Sequence, residues 1–275
     1  MLPVERAAVV THGRTRNVGA ALARLRAVAD ATGVELAFDA EEAGKHGVAA
    51  TDGKRPDIAI VLGGDGTMLR GLKRFLGTGV PVLGVNFGRV GFLTAIGADE
   101  LERGLARVFA GEYRILSLPT LEASLNGETE TAVNDIVVAG GTLGRMIELD
   151  WAIGGEHLGV QACDGFICAT PPGSTAYNLS NGGPVLVWGL EAMVVTFVAP
   201  HSLHARPLVV GPDTDLVVTN RSVDITAAVL ADGHLIGELA PGAQAKMHLG
   251  PARSRLALLP EETFFRRYGT VFGAA

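Results

Sequence analysis

Apolar and polar positions over the first 110 residues fall into blocks of two kinds. Residues 6–10 (RAAVV), 57–62 (DIAIVL) and 80–85 are short apolar runs, the pattern of buried strands, and residues 34–38 alternate like a short strand. Between them, residues 17–31 set Val18, Leu22, Leu25 and Val28 at helical spacing, with Asn17 a candidate N-cap. Residues 68–76 and 99–110 read as further helices, the second stopping at Gly111. Residues 39–56 are polar and contain Gly, and read as a loop. Strand and helix alternating in this rhythm predict a largely parallel sheet.

Past Gly111 the period changes. Residues 121–125 alternate, and Asn126-Gly127 signals a hairpin. Residues 133–139, 146–153, 157–160, 216–219 and 225–230 read as short strands, and Asp232-Gly233 turns the chain into residues 234–239. One helix is expected near Ser174, and residues 261–268 read as a short amphipathic helix docking back on the first domain. The expected fold is an α/β, Rossmann-like N-terminal domain followed by an all-β, sandwich-like C-terminal domain. Its boundaries are residues 1–112, with 251–275 returning to them, and residues 113–250.

Composition narrows the classes. The 275 residues are 48% apolar and 19% charged, which excludes a disordered chain. The net charge of −6 argues against a nucleic-acid partner, which calls for a basic face. Cys163 and Cys168 cannot staple a chain of this length, and read as buried thiols in a reducing compartment. No basic-then-apolar start is seen and no apolar run approaches ~20 residues, so a cytoplasmic location away from membranes is expected. An acidic chain must attract any phosphate ligand through local features. The 37 glycines exceed the average of about 7%, and they cluster.

The first cluster, Gly63-Gly64-Asp65-Gly66-Thr67, lies between a strand and a helix. Such a turn lets backbone N–H groups approach phosphate oxygens at a helix N-terminus. A carboxylate there repels phosphate, so Asp65 reads as a base, as a partner of a metal-bound phosphate, or as the Asx residue of an ordinary tight turn. Neither a Walker A loop nor GxGxxG occurs. The second cluster, residues 164–184 (DGFICATPPGSTAYNLSNGGP), has a rigid Pro-Pro-Gly turn before Ser174 and Thr175. It suits either an anion-binding helix start or a capped surface helix. Asn134-Asp135 precedes an apolar strand and reads as a ribose contact or as a turn pair. His201 and His204 are flanked by Pro200 and Pro207, which favours a loop over a metal site. No metal-ligating residues are assigned.

These segments in this order resemble the NAD kinase family: GGDGT at 63–67, NFGRVGFLT at 86–94, ND at 134–135, the 164–184 segment, and PHSLHARPLVV at 200–210. GGDGT is shared with diacylglycerol and sphingosine kinases; the GSTAY and SLHARP segments are far more specific. The resemblance implies an NAD kinase-like two-domain fold with a dinucleotide site between the domains. It implies transfer of the γ-phosphoryl group of ATP to the 2′-hydroxyl of the adenosine ribose of NAD, with Mg²⁺ or another divalent ion, in a homo-oligomer. It gives Asp65 the general-base role and Gly66 a phosphate contact. Asn134 and Asp135 contact ribose and base, and Thr175, Ala176, Tyr177, Asn178, Leu179 and Ser180 form the NAD pocket. Asp164 reaches NAD held mainly by a neighbouring subunit, and Arg145, Ala162 and His234 match further contact positions. Two departures stand out: Pro172 replaces a hydroxyl-bearing Thr, and Ala162 replaces a basic residue found in many bacterial members. Phosphate donor, NAD against NADH, and feedback are left open. A lipid kinase sharing the GGDG loop calls for a basic or apolar membrane-facing stretch, whereas the chain has four Lys and no such stretch. A dinucleotide sensor without turnover is the other alternative. Trp188, Leu190, Met193 and Phe197 suit either an interface or a sandwich core.

Overall fold

In the computed structural model, residues 1–12, 15–87, 91–141 and 145–273 are described, with 15–17 in backbone only. The chain divides into two units, Met1–Ser117 with Ser254–Ala275, and Leu118–Arg253.

The first unit opens with β1 (Arg6–Thr11), α1 (Thr15–Thr32), β2 (Glu35–Ala37) and α2 (Ala40–His46). It continues with β3 (Ile58–Leu62), α3 (Asp65–Arg74), β4 (Val82–Asn86), the two-residue β5 (Ile96–Gly97) and α4 (Leu101–Phe109). β2, β1, β3 and β4 lie side by side and parallel, with β5 added parallel to β4. Every residue of β3 and β4 is buried, which explains their unbroken apolar runs. α1 starts at Thr15, two residues before the expected cap, and the Asn17 side chain lies outside the described residues.

Residues 39–56 correct the expectation of a loop throughout, because α2 lies within them. Its sequence has little apolar periodicity, so tertiary and capping contacts carry it. The Asp39 side chain accepts the Glu42 N–H, a cap worth about 1 kcal/mol. Gly47 closes the helix at φ +63°. Buried Glu42 accepts from the Thr11 hydroxyl at 2.6 Å and from Lys45 at 2.9 Å.

The second unit takes up β6 (Arg114–Leu125) from Leu118 onward, then β7 (Glu128–Ala132), β8 (Asp135–Gly140), β9 (Ile147–Ile153), β10 (Glu156–Cys163) and β11 (Gly165–Ala169). α5 (Tyr177–Ser180), β12 (Met193–Val198), β13 (Leu208–Val210), β14 (Leu216–Asn220), β15 (Ala227–Ala231) and β16 (His234–Leu239) follow. One antiparallel sheet has the order β13-β12-β11-β8-β15-β16. The opposing layer joins β10, β9 and β14, then β17 (Gln244–Leu258), and β6 pairs with β17 and β7. Ile136, Val138, Phe166 and Val195 of the six-stranded sheet share one core with Leu121, Leu149, Val218 and Met247 of the other layer. The alternate residues Val137, Ile167 and Val194 face a second, smaller core with Leu186 and Ala192. That sheet is therefore covered on both faces, and β11 and β12 read as continuous apolar runs without alternation.

Asn126-Gly127 and Asp232-Gly233 turn their hairpins with all four residues at positive φ. The helix expected at Ser174 is only a 3₁₀ turn, Gly173–Thr175, followed by the single turn of α5. Residues 200–207 carry no helix. Trp188, Met193 and Phe197 are buried within the second unit, Phe197 edge-on to both Phe166 and Trp151, while Leu190 is exposed. The end of β17 pairs Leu256 with Val82 in the first unit, and α6 (Phe264–Phe272) starts three residues later than expected, capped by Thr263. Its Phe264 and Phe272 rings lie 6.1 and 5.3 Å from that of Phe92.

Candidate functional site

In the first unit the glycine-rich turn ends β3 and starts α3, with Gly64 at the cap position and Asp65 the first helical residue. A Cβ on Gly63 would lie 2.5 Å from the Thr67 hydroxyl oxygen, so the turn closes this tightly only with Gly there. Gly64 and Gly66 are exposed at the helix start; Thr67 N–H already donates to the Gly64 carbonyl at 2.9 Å, and the Asp65 and Gly66 N–H groups come before that first bond. Gly71 packs against Val61, and Gly84 against Met68, which seats α3 close to its two strands.

The half-buried Asp65 carboxylate is anchored by backbone donors. Phe92 N–H donates to one oxygen at 2.8 Å, and Leu93 N–H donates to the other at 3.1 Å. Gly91 lies so close that any Cβ there would overlap the carboxyl group. Each oxygen keeps a second lone pair, so the group is oriented and still able to accept a proton. Gly88, Arg89 and Val90 of the same segment lie outside the described residues.

In the second unit the start of β8 is held from two sides. Buried Asp232, at φ +51° in the β15–β16 turn, accepts Val133 N–H at 3.0 Å and Asn134 N–H at 2.7 Å, with Asp135 N–H at 3.4 Å. Opposite, Thr170 N–H donates to the Asn134 carbonyl at 2.8 Å, and its hydroxyl donates to Val133 at 2.7 Å. Gly173 sits against the Asn134 backbone where any Cβ would overlap it. The Asn134 side-chain oxygen is buried without a hydrogen-bond partner among the described residues. Burial, and then the neighbouring Asp232 carboxylate, push the Asp135 carboxyl up to about 7.

The remaining expected site residues separate into two groups. At the start of β8, Thr175 donates its hydroxyl to the Pro172 carbonyl at 3.0 Å, Ala176 and Leu179 are half-buried, and Tyr177 and Ser180 are exposed. His234 is exposed, with Nδ1 3.0 Å from the Asp232 carbonyl; a carbonyl only accepts, so Nδ1 carries the proton. Asn178 is different. It is wholly buried, donates to the Ser174 and Pro184 carbonyls, and accepts the Thr196 hydroxyl at 2.6 Å. Its side chain braces the 171–186 segment from inside.

At the far end of β8, the Arg145 and Asp164 carbonyls both approach Gly140. The exposed Asp164 side chain leaves the strand end, and Ala162 takes His201 N–H on its carbonyl at 2.8 Å. Arg145 donates two hydrogen bonds to Asp224, which hold that carboxyl below its ordinary value. The five residue steps from Asp135 to Gly140 set the two groups about 17 Å apart along the strand. Both cysteines are free and buried, and burial pushes the Cys163 thiol up to about 12.

Sequence reasoning did not assign Asp232 or the Phe92 and Leu93 N–H groups. Asp232 read only as a turn residue, because its partners lie far away along the chain. The N–H groups belong to the backbone and leave no trace in side-chain type.

An oriented carboxylate at a Gly-rich helix start, in a chain whose other unit carries a clamped polar turn, is an arrangement suited to handling phosphate and nucleotide groups. Residues 20–113 match the ATP-NAD kinase N-terminal domain, and residues 133–258 the ATP-NAD kinase C-terminal domain. NAD kinase of Gemmatimonas aurantiaca is 36% identical over 270 residues, covering 95% of this chain and 93% of that protein. NAD kinase of Heliobacterium modesticaldum is 40% identical over 215 residues, 76% of each. An NAD kinase from Archaeoglobus fulgidus, solved in complex with ATP, superposes with a TM-score of 0.76 at 28% identity, covering 98% of this chain and all of that one. Yeast NADH kinase, solved with NADH, shares the fold at a TM-score of 0.85 and 24% identity, over 98% of this chain and 88% of that one. The chain belongs to the NAD kinase family.

Proposed function

We propose that this chain transfers the γ-phosphoryl group of ATP to the 2′-hydroxyl of the adenosine ribose of NAD, giving NADP and ADP. The observation that carries the reading is the Asp65 carboxylate, oriented by two backbone N–H groups at the start of α3. The hydroxyl oxygen attacks the γ-phosphorus, the bond to the β–γ bridging oxygen breaks, and Asp65 takes the hydroxyl proton. Gly66 and the α3 N-terminus offer N–H groups to phosphate oxygens. Asn134 and Asp135 hold the ribose and base, with Thr175, Ala176, Tyr177, Leu179, Ser180 and His234 around them. Asn178 serves that pocket by bracing its wall.

A divalent ion is expected with the nucleotide. Among the described residues no three His, Cys, Asp or Glu side chains come together to hold one. The ion is proposed to enter on the phosphates of ATP, which supply the oxygen ligands such a cation prefers. Asp164 is proposed to serve the site of a neighbouring copy, in a homo-oligomer. Its support is the spacing that places it a strand length from Asn134 and Asp135 within one chain. No helix among the described residues is long and apolar enough to cross a membrane. A cytoplasmic location is proposed on the two free, buried thiols.

The test is direct. The purified chain is incubated with NAD, ATP and Mg²⁺, and NADP is measured with an NADP-specific dehydrogenase. NADP accumulation is expected, and its absence overturns the reading. Repeating the assay with NADH and with other triphosphates or polyphosphate settles acceptor and donor.

A further inference from the structure

We propose that Asp232 is a positioning residue for dinucleotide recognition: its carboxylate fixes the Val133–Asp135 backbone so that the Asn134 amide oxygen and the Asp135 carboxyl are presented to NAD. The inference rests on the NAD kinase reading above and goes beyond it, since Asp232 itself need not touch the ligand.

The hydrogen-bond pattern carries the argument. Asp232 takes the N–H groups of Val133 and Asn134 at 3.0 and 2.7 Å, with that of Asp135 at 3.4 Å. Hydrogen bonds to a charged acceptor are the strong kind, and this acceptor is buried. The carbonyls on the other side of the same peptides are taken by Thr170. Asp232 is locked in turn, because its own N–H donates to the Asp135 carbonyl at 3.0 Å and its carbonyl accepts from His234. The Asn134 peptide thus has nothing left to offer a ligand. What remains is its side-chain oxygen, buried with no partner among the described residues, a costly state unless a donor arrives. A ribose hydroxyl or a base amino group is such a donor. The Asp232 charge acts on the neighbour as well as the backbone. It is the charged group that raises Asp135 beyond the effect of burial. From the third side β11 presents only the buried, neutral Cys168 thiol, and His234 is turned to the Asp232 carbonyl.

The test compares wild type with Asp232→Asn, Asp232→Gly and Asp232→Ala, reading NAD affinity by calorimetry, KM for NAD and for ATP, and the pH profile of kcat/KM for NAD. Asn and Gly both accept the positive φ, so the backbone turn survives in them. Asp232→Gly is expected to weaken NAD binding roughly tenfold or more, the loss of charged hydrogen bonds, with KM for ATP unchanged. Asp232→Asn keeps an acceptor oxygen and is expected to recover part of that loss. It also removes a like charge beside Asp135, so the acid limb of the profile moves to lower pH. A purely structural role would lower stability and leave the limb in place. NAD affinity within twofold of wild type in both Asn and Gly variants, with the limb unmoved, overturns the proposal. Should Asp232→Ala fail to fold, the Asn and Gly variants decide. Wild type that binds NAD and makes no NADP overturns the kinase reading instead, and calorimetry still tests the clamp.

Discussion

Asp65 and Asp135 are the same residue type in opposite environments. Asp65 is half-buried, with one backbone N–H on each oxygen, an arrangement that orients a carboxylate. Asp65→Asn is expected to lower kcat at least ~10²-fold with NAD affinity unchanged. The new NH₂ must face either the Phe92 or the Leu93 N–H, so a stability loss of about 1 kcal/mol accompanies it. A fall in kcat below fivefold would remove Asp65 from the base role. Asp135 is buried beside a second carboxylate and raised to about 7 from 3.8. Across that window the folded chain keeps a proton that the unfolded chain has released. Folding stability from this residue is therefore present at low pH and lost as pH rises toward 7. Asp135→Asn is expected to raise the thermal midpoint more at pH 8 than at pH 4, while weakening NAD binding. Equal shifts at the two pH values would contradict the raised carboxyl.

Elements meet at glycines in this chain. The 171–175 segment docks on the start of β8 because Gly173 lets it approach the Asn134 backbone. The obstacle to a side chain is a peptide group already fixed by Asp232 and Thr170, so it cannot yield. Gly173→Ala is expected to destabilise the protein by about 1–3 kcal/mol and to weaken NAD binding, read by denaturant unfolding and calorimetry. Unchanged unfolding would show that the segment can shift at little cost. At the same scale, α2 escaped the apolar pattern because Asp39, Gly47 and the buried Glu42 define it instead. β11 and β12 escaped it because their sheet is buried on both faces.

On the scale of the whole molecule, β8 is the ruler. One of its ends carries Asn134 and Asp135, and the other brings Arg145 and Asp164 to Gly140. If Asp164 completes the site of another copy, two inactive chains should complement each other. Mixing Asp65→Asn with Asp164→Ala chains, with subunit exchange confirmed by mass, is expected to restore part of the activity. Mixed oligomers that stay inactive would mean that each site is built from one chain, or that Asp164 takes no part.

Local chemistry made much of this legible in the sequence. Apolar runs marked β1, β3 and β4, Asn-Gly and Asp-Gly marked two hairpins, and the GGDGT and GSTAY segments marked the family. These features act within a few residues, where side-chain type and backbone freedom suffice. The tertiary structure alone decided which groups hold the candidate site in place. Asp232 finds Asn134 from 98 positions away, Phe92 and Leu93 reach Asp65 through backbone N–H groups, and Asn178 turns inward to brace its own segment. Hydrogen bonds between distant segments depend on where the sheets bring them, and no spacing along the chain encodes that position.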